Sequence, residues 1–184
     1  MSTSLQAKRT RRVCVDAMLC AAAMLLSYLE VLLPLNALIP LPGFRLGLAN
    51  VAVVAVFCLL SPTDAAVVSG VRISLTALLF GTVTSFYFSF MGALLSFLVL
   101  MLLKYVGKQY SFVGVSILCA AAHNTGQIIA AVTLFGTALI PSYLPLLLFA
   151  SVIYGGIVGI LLNLLLPRLQ TPLNRLLGGE GVRT

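Results

Sequence analysis

Six apolar runs, over about residues 13–33, 46–61, 65–82, 86–104, 112–135 and 144–166, take up most of this chain. Crossing the hydrocarbon core of a bilayer takes ~20 helical residues. Backbone in lipid must also satisfy its own hydrogen bonds, so runs of this length fold as helices. The expected fold is all-α, an integral membrane bundle of six transmembrane helices. The second run is short and needs a thin place, a bend or help from its neighbours. With 61% hydrophobic and 8% charged residues, too little polar sequence remains to cover a soluble domain. The expected organisation is a basic tail (1–12), one membrane domain (13–167) and a second tail (168–184). The first run is too long for a cleavable signal peptide and carries Asp16 and Glu30, so it reads as a retained helix.

Charge sets the expected orientation. Lys8, Arg9, Arg11 and Arg12 precede the first run, Lys104 and Lys108 separate the fourth from the fifth, and Arg168, Arg175 and Arg183 follow the sixth. Six crossings place these nine of the 11 basic residues on one side. By the positive-inside rule that side is the cytoplasm, and both termini lie there. Topology accounts for the basic balance, so no nucleic-acid partner is expected. Arg45 alone is left near the outer face, and Arg72 lies inside the third run.

The outer connection from Pro34 to Arg45 is apolar and proline-rich and cannot be regular helix. It reads either as a lid over the outer end of the bundle or as an interfacial loop dipping into the headgroups. Small residues recur on one face of the fourth run (Ser85, Ser89, Gly92, Ser96) and of the sixth (Ser151, Gly155, Gly159, then Asn163). Such stripes let helix backbones approach closely in lipid. Ala17 and Ala21 form a smaller stripe on the first run, either for internal packing or as a docking face for another membrane protein.

A guanidinium in the middle of an apolar run is costly unless it meets a cavity or a partner. Ser69, Arg72 and Thr76 share one helical face, and Ser116, His123 and Gln127 share another, with Asn124 and Thr125 beside it. Counted along the helices, Arg72 lies ~11 Å and His123 ~17 Å from the cytoplasmic ends. The one carboxylate well inside the membrane, Glu30, belongs near the opposite end of that depth range, which makes an Arg72–Glu30 contact awkward. Either a closed polar network or a ligand pocket fits, and an anionic or strongly accepting ligand suits the arginine. Near the outer face Arg45 and Asn50 flank Gly47, with Asn50 ~6 Å into the second run. Arg45 there attracts an anion or holds lipid phosphate.

Much chemistry is excluded. Cys14, Cys20, Cys58 and Cys119 have no Cys-x-x-Cys spacing, and His123 is the single histidine. That argues against zinc, bis-histidine haem and four-cysteine iron–sulfur sites. A bound flavin or quinone needs no such ligands and stays compatible with the chain. There is no Walker A loop, no aspartate-rich magnesium pair and no Ser/His/Asp set. The reading is a protein that binds and moves something, not an enzyme.

The segment Pro42-Gly-Phe-Arg-Leu-Gly-Leu-Ala-Asn50, with Val71-Arg72 and Ala122-His123-Asn124-Thr-Gly-Gln127, resembles the Gx transporter family, often labelled heptaprenyl diphosphate synthase component I. In size and layout the chain is similar to the substrate-binding S components of energy-coupling factor (ECF) transporters of the prokaryotic plasma membrane. The resemblance covers about residues 13–167. It implies capture of a small molecule from outside, beneath a lid formed by the 34–45 loop. It also implies docking, through Ala17 and Ala21, on a transmembrane coupling protein driven by two ATPases. Arg45, Asn50, Arg72, Thr76, His123, Asn124 and Gln127 are the pocket candidates on the depth argument above. The resemblance carries two further readings. One is a membrane subunit passing electrons to an extracytosolic flavoprotein, with Tyr28, Tyr87 or Tyr154 along the route. The other is a non-catalytic accessory of polyprenyl diphosphate synthesis.

Overall fold

The computed structural model describes residues 2–32, 47–107, 111–136 and 140–177. They form six helices: α1 (Ser2–Leu32), α2 (Asn50–Leu59), α3 (Pro62–Phe80), α4 (Val83–Val106), α5 (Phe112–Phe135) and α6 (Leu144–Leu177). A short 3₁₀ turn, Ile140–Tyr143, precedes α6. The all-α expectation holds, with no strand among the described residues.

The helix boundaries follow from capping chemistry. Ser61 and Thr82 accept the N–H groups of Asp64 and Ser85 with their side-chain oxygens, and Pro62 occupies the first turn of α3. Gly107 and Gly136 end α4 and α5 with φ of 69° and 63°, the left-handed conformation that glycine adopts without a Cβ clash. The connections are correspondingly tight: Leu60-Ser61 joins α2 to α3, and Gly81-Thr82 joins α3 to α4.

Five helices are long and apolar enough to cross a membrane, and this is a membrane protein. Their outward side chains are apolar, as at Val67, Leu78, Leu98, Leu102, Phe149 and Ile157, all more than half exposed. In water such a surface would be a liability; against acyl chains it is the expected covering. The second run departs from the expectation of a full span. Its helix, α2, has 10 residues, ~15 Å of rise, about half of a hydrocarbon core. Eight of those 10 are buried, among them Asn50, Val54 and Leu59, and α2 touches α1, α3, α5 and α6. A short helix that is apolar all round is a core element.

The long helices pack through their small residues. A Cβ at Gly126 of α5 would overlap the backbone of Met91 and Gly92 in α4, and one at Gly159 of α6 would overlap Val113 of α5. Both small-residue stripes of the sequence are buried at these contacts, whereas Asn163 is exposed on the outside of α6. Three apolar clusters result among the described residues, one of them formed by Cys20, Val53, Val56, Ala65 and Val68, and two bracketing the bundle's middle. Of those two, one gathers Val15, Val54, Leu59, Leu100, Cys119 and Leu162. The other, toward the opposite end, gathers Phe88, Ile128, Ala131, Ile140 and Leu147.

A polar layer between two apolar clusters

Between those two clusters lies a layer of hydrogen-bonding side chains. Asn50 begins α2, and its Nδ2 donates to Ser96 Oγ of α4 at 2.6 Å. Asn124 of α5, fully buried, donates from Nδ2 to Ser151 Oγ at 2.8 Å and to the Leu147 carbonyl at 3.0 Å in α6. His123 and Gln127, one turn apart on α5, meet through their Nε2 atoms at 2.9 Å. Every one of these groups sits below a tenth exposure, so each exchanges water for a defined partner, as buried polar groups must.

His123 is fixed by shape as well. Cβ atoms at Gly47 and Gly92 would fall 2.8 Å and 2.6 Å from opposite edges of its imidazole. Gly47 adopts φ of 82° immediately before α2, so glycine serves both the backbone turn and the clearance. A cleft lined by Gly47, Asn50, Ser116, His123, Tyr154 and Gly155 opens beside the ring. Its free volume is about 10 Å³, room for a single water. Any larger ligand requires the surrounding elements to move.

Arg72 stands in a second group, on α3 against α1. It is 4% exposed, and its Nη1 donates to Ser27 Oγ at 3.1 Å. Thr76, one turn on, is buried with Oγ1 lacking a hydrogen-bond partner among the described residues. α3 packs on α1, α2 and α4, while α5 packs mainly on α4 and α6. The candidates therefore divide into Arg72 and Thr76 on one side and Asn50, His123, Asn124 and Gln127 on the other.

Residues 47–50 join the two groups. Glu30, 3% exposed and one turn beyond Ser27 on α1, accepts the N–H of Leu48. Leu48 follows Gly47, which touches His123, and precedes Asn50 by two residues. Depth along the helices separates the Cα atoms of Arg72 and Glu30, and a long arginine side chain reaches across several ångströms of that separation. Here it reaches the Ser27 level of α1, a turn from Glu30. Glu30, Ser27, Ser96 and Ser151 were not among the ligand-binding candidates, and Tyr154 was named only for an electron route. Glu30, a carboxylate within an apolar run, and the small-residue stripes that hold Ser96 and Ser151 carried the available signal.

The remaining candidates are quickly placed. Arg45 and the 34–45 loop lie outside the described residues. Ala17 and Ala21 are exposed on α1, whereas Ala23 of the same run is fully buried, so the first two do not serve internal packing. Tyr28 lies exposed beside Phe80, and Tyr87 bonds Thr133 at 3.3 Å. No group of three or more His, Cys, Asp or Glu side chains placed to hold a metal occurs among the described residues.

An apolar helical bundle with a buried polar layer defines a polytopic membrane protein. The chain belongs to the family described as heptaprenyl diphosphate synthase component I, whose model matches residues 19–165. It is the family whose motifs the sequence resembles. Neither a curated protein nor a solved structure matches the chain.

Proposed function

We propose that this protein is the substrate-binding S component of an ECF-type transporter, capturing a small anionic, phosphate-bearing or flavin-like molecule from the outer side. The observation that carries this reading is the polar layer. A purely structural bundle gains little from placing an arginine, a glutamate, a histidine and three amides below a tenth exposure in lipid, where each polar group is costly. A protein that must hold a polar molecule at that depth needs them. Arg72 would meet the ligand's negative charge, while Thr76, Asn50, His123, Asn124 and Gln127 would supply neutral hydrogen bonds. The tight cleft then corresponds to the closed form, and entry proceeds by displacing residues 47–50. Ala17 and Ala21, facing outward from α1, suit close approach of a coupling protein's helix.

The test is mild-detergent purification of the tagged protein from its native membrane, with mass spectrometry of all that co-elutes, repeated for Arg72→Leu. A coupling protein, two ATPases and a small molecule that Arg72→Leu loses, with the variant still folded and inserted, are expected. An unchanged small molecule in the variant removes Arg72 from the site. Recovery of an extracytosolic flavoprotein without ATPases would replace the transporter reading with electron transfer. Recovery of a prenyl diphosphate synthase would replace it with the accessory role in the family's description.

A further inference from the structure

We propose that the basic end of the α1–α6 pair binds the phosphate headgroup of an anionic phospholipid. The 34-residue α6 is ~51 Å long against a hydrocarbon core of ~30 Å, so its last turns run through the headgroup layer. They carry Arg168 and Arg175, both exposed. The turns stay attached to the bundle, because Leu166 and Leu173 are buried in one apolar cluster with Val15 of α1. That cluster joins α6 to α1 at Val15, and Arg9, earlier on α1, is also exposed. Arginines from both ends of the sequence thus lie on two helices held together by one apolar cluster.

Among the described residues, the two carboxylates at this end, Asp16 and Asp64, are engaged elsewhere. Asp64 accepts from Arg12 Nε at 3.0 Å, and Asp16 is half-buried on α1 one turn beyond Arg12. The exposed Arg168 and Arg175 are bordered by exposed apolar side chains, with Leu161, Leu164 and Leu165 on the turns just before Arg168. A guanidinium fork matches phosphate oxygens, and the adjoining leucines match acyl chains. An acidic protein segment would fill the first requirement and not the second. The occupant that meets both is a phospholipid with net negative charge.

The experiment is native mass spectrometry of the purified full chain in mild detergent, titrated with phosphatidylglycerol or with phosphatidylcholine of the same chains. Phosphatidylglycerol should bind at least tenfold tighter. The Arg168→Gln/Arg175→Gln double variant should lose about thirtyfold of that affinity, taking the usual contribution of a basic residue at an anionic surface. Arg168→Lys/Arg175→Lys should recover most of it, and Lys104→Gln on α4 should change nothing. Circular dichroism and gel filtration establish that each variant is folded. Equal binding of both lipids, or a double variant that binds like wild type, overturns the proposal. Displacement of the lipid by millimolar inorganic phosphate would reassign the site to free phosphate, and displacement by a polyglutamate peptide to an acidic partner.

Discussion

The imidazole of His123 fills the space that a side chain at position 92 would need, since a Cβ there would lie 2.6 Å from both Nδ1 and Cε1. Gly92 belongs to the small stripe of α4, and Gly126, the next glycine along α5 from His123, meets the same part of α4. One glycine therefore lets two backbones approach and leaves a slot for a ring. Gly92→Ala should displace the ring and cost about 1–3 kcal/mol, the usual range for overpacking. Gly70→Ala, with open space around its Cβ position, should be neutral or slightly stabilising, because alanine favours helix. Thermal unfolding of the two variants in detergent, read by circular dichroism, checks this. Equal midpoints would mean that the ring relocates at no cost.

Ser27 gives Arg72 an acceptor from a neighbouring helix. Hydrogen bonds to charged groups are worth about 1.5–3 kcal/mol. Ser27→Ala should cost that much in stability, and Ser27→Thr, which keeps the hydroxyl, should cost less. The same thermal measurement decides it. If Ser27→Ala is as stable as wild type, the bond contributes nothing net and the guanidinium draws its support elsewhere.

Glu30 fastens the entry to α2 by accepting the Leu48 N–H. Glu30→Gln keeps an oxygen acceptor and loses the charge; Glu30→Leu loses both. Hydrogen exchange at the Leu48 amide should be near wild type in the first and accelerated about fivefold or more in the second, corresponding to a lost bond of about 1 kcal/mol. Equal exchange in all three proteins would show that the carboxylate does not hold this turn.

The sequence was legible where one physical effect dominates. Long apolar runs specify lipid-crossing helices, and the stripes at Ser89–Gly92–Ser96 and Ser151–Gly155–Gly159 are buried, with no room for a Cβ at Gly92, Gly155 or Gly159. The polar candidates were likewise found by their cost in an apolar run, and the described ones are buried. What periodicity could not convey was partnership. Asn50 with Ser96 and Arg72 with Ser27 join residues more than 40 positions apart, and serine is too common in tight helix contacts to stand out. Run length also misled at α2, since a core helix and a short span share the same all-apolar pattern.

Arg12 and Asp64 tie α1 to the first turn of α3: Arg12 Nη2 also reaches Ser61 Oγ at 3.0 Å, and that same serine caps α3. The arginine side chain is 49% exposed and the aspartate 14%, so solvent and salt screen much of the attraction. Two contributions can be separated by substitution. Asp64→Asn removes the charge pair yet keeps a polar side chain beside Ser61; its cost should be under about 1 kcal/mol and should shrink further as salt rises from 0.1 to 1 M. Ser61→Ala removes the cap as well as an acceptor for Arg12, and should cost about 1–2 kcal/mol. The cap acts at short range through a neutral oxygen, so that loss should persist at 1 M salt. Melting midpoints of both variants at the two salt concentrations test the division. A salt-independent Asp64→Asn effect would show that the aspartate acts through its short-range hydrogen bond with Ser61 and not through its charge, since attraction to Arg12 and to the helix terminus is screened alike.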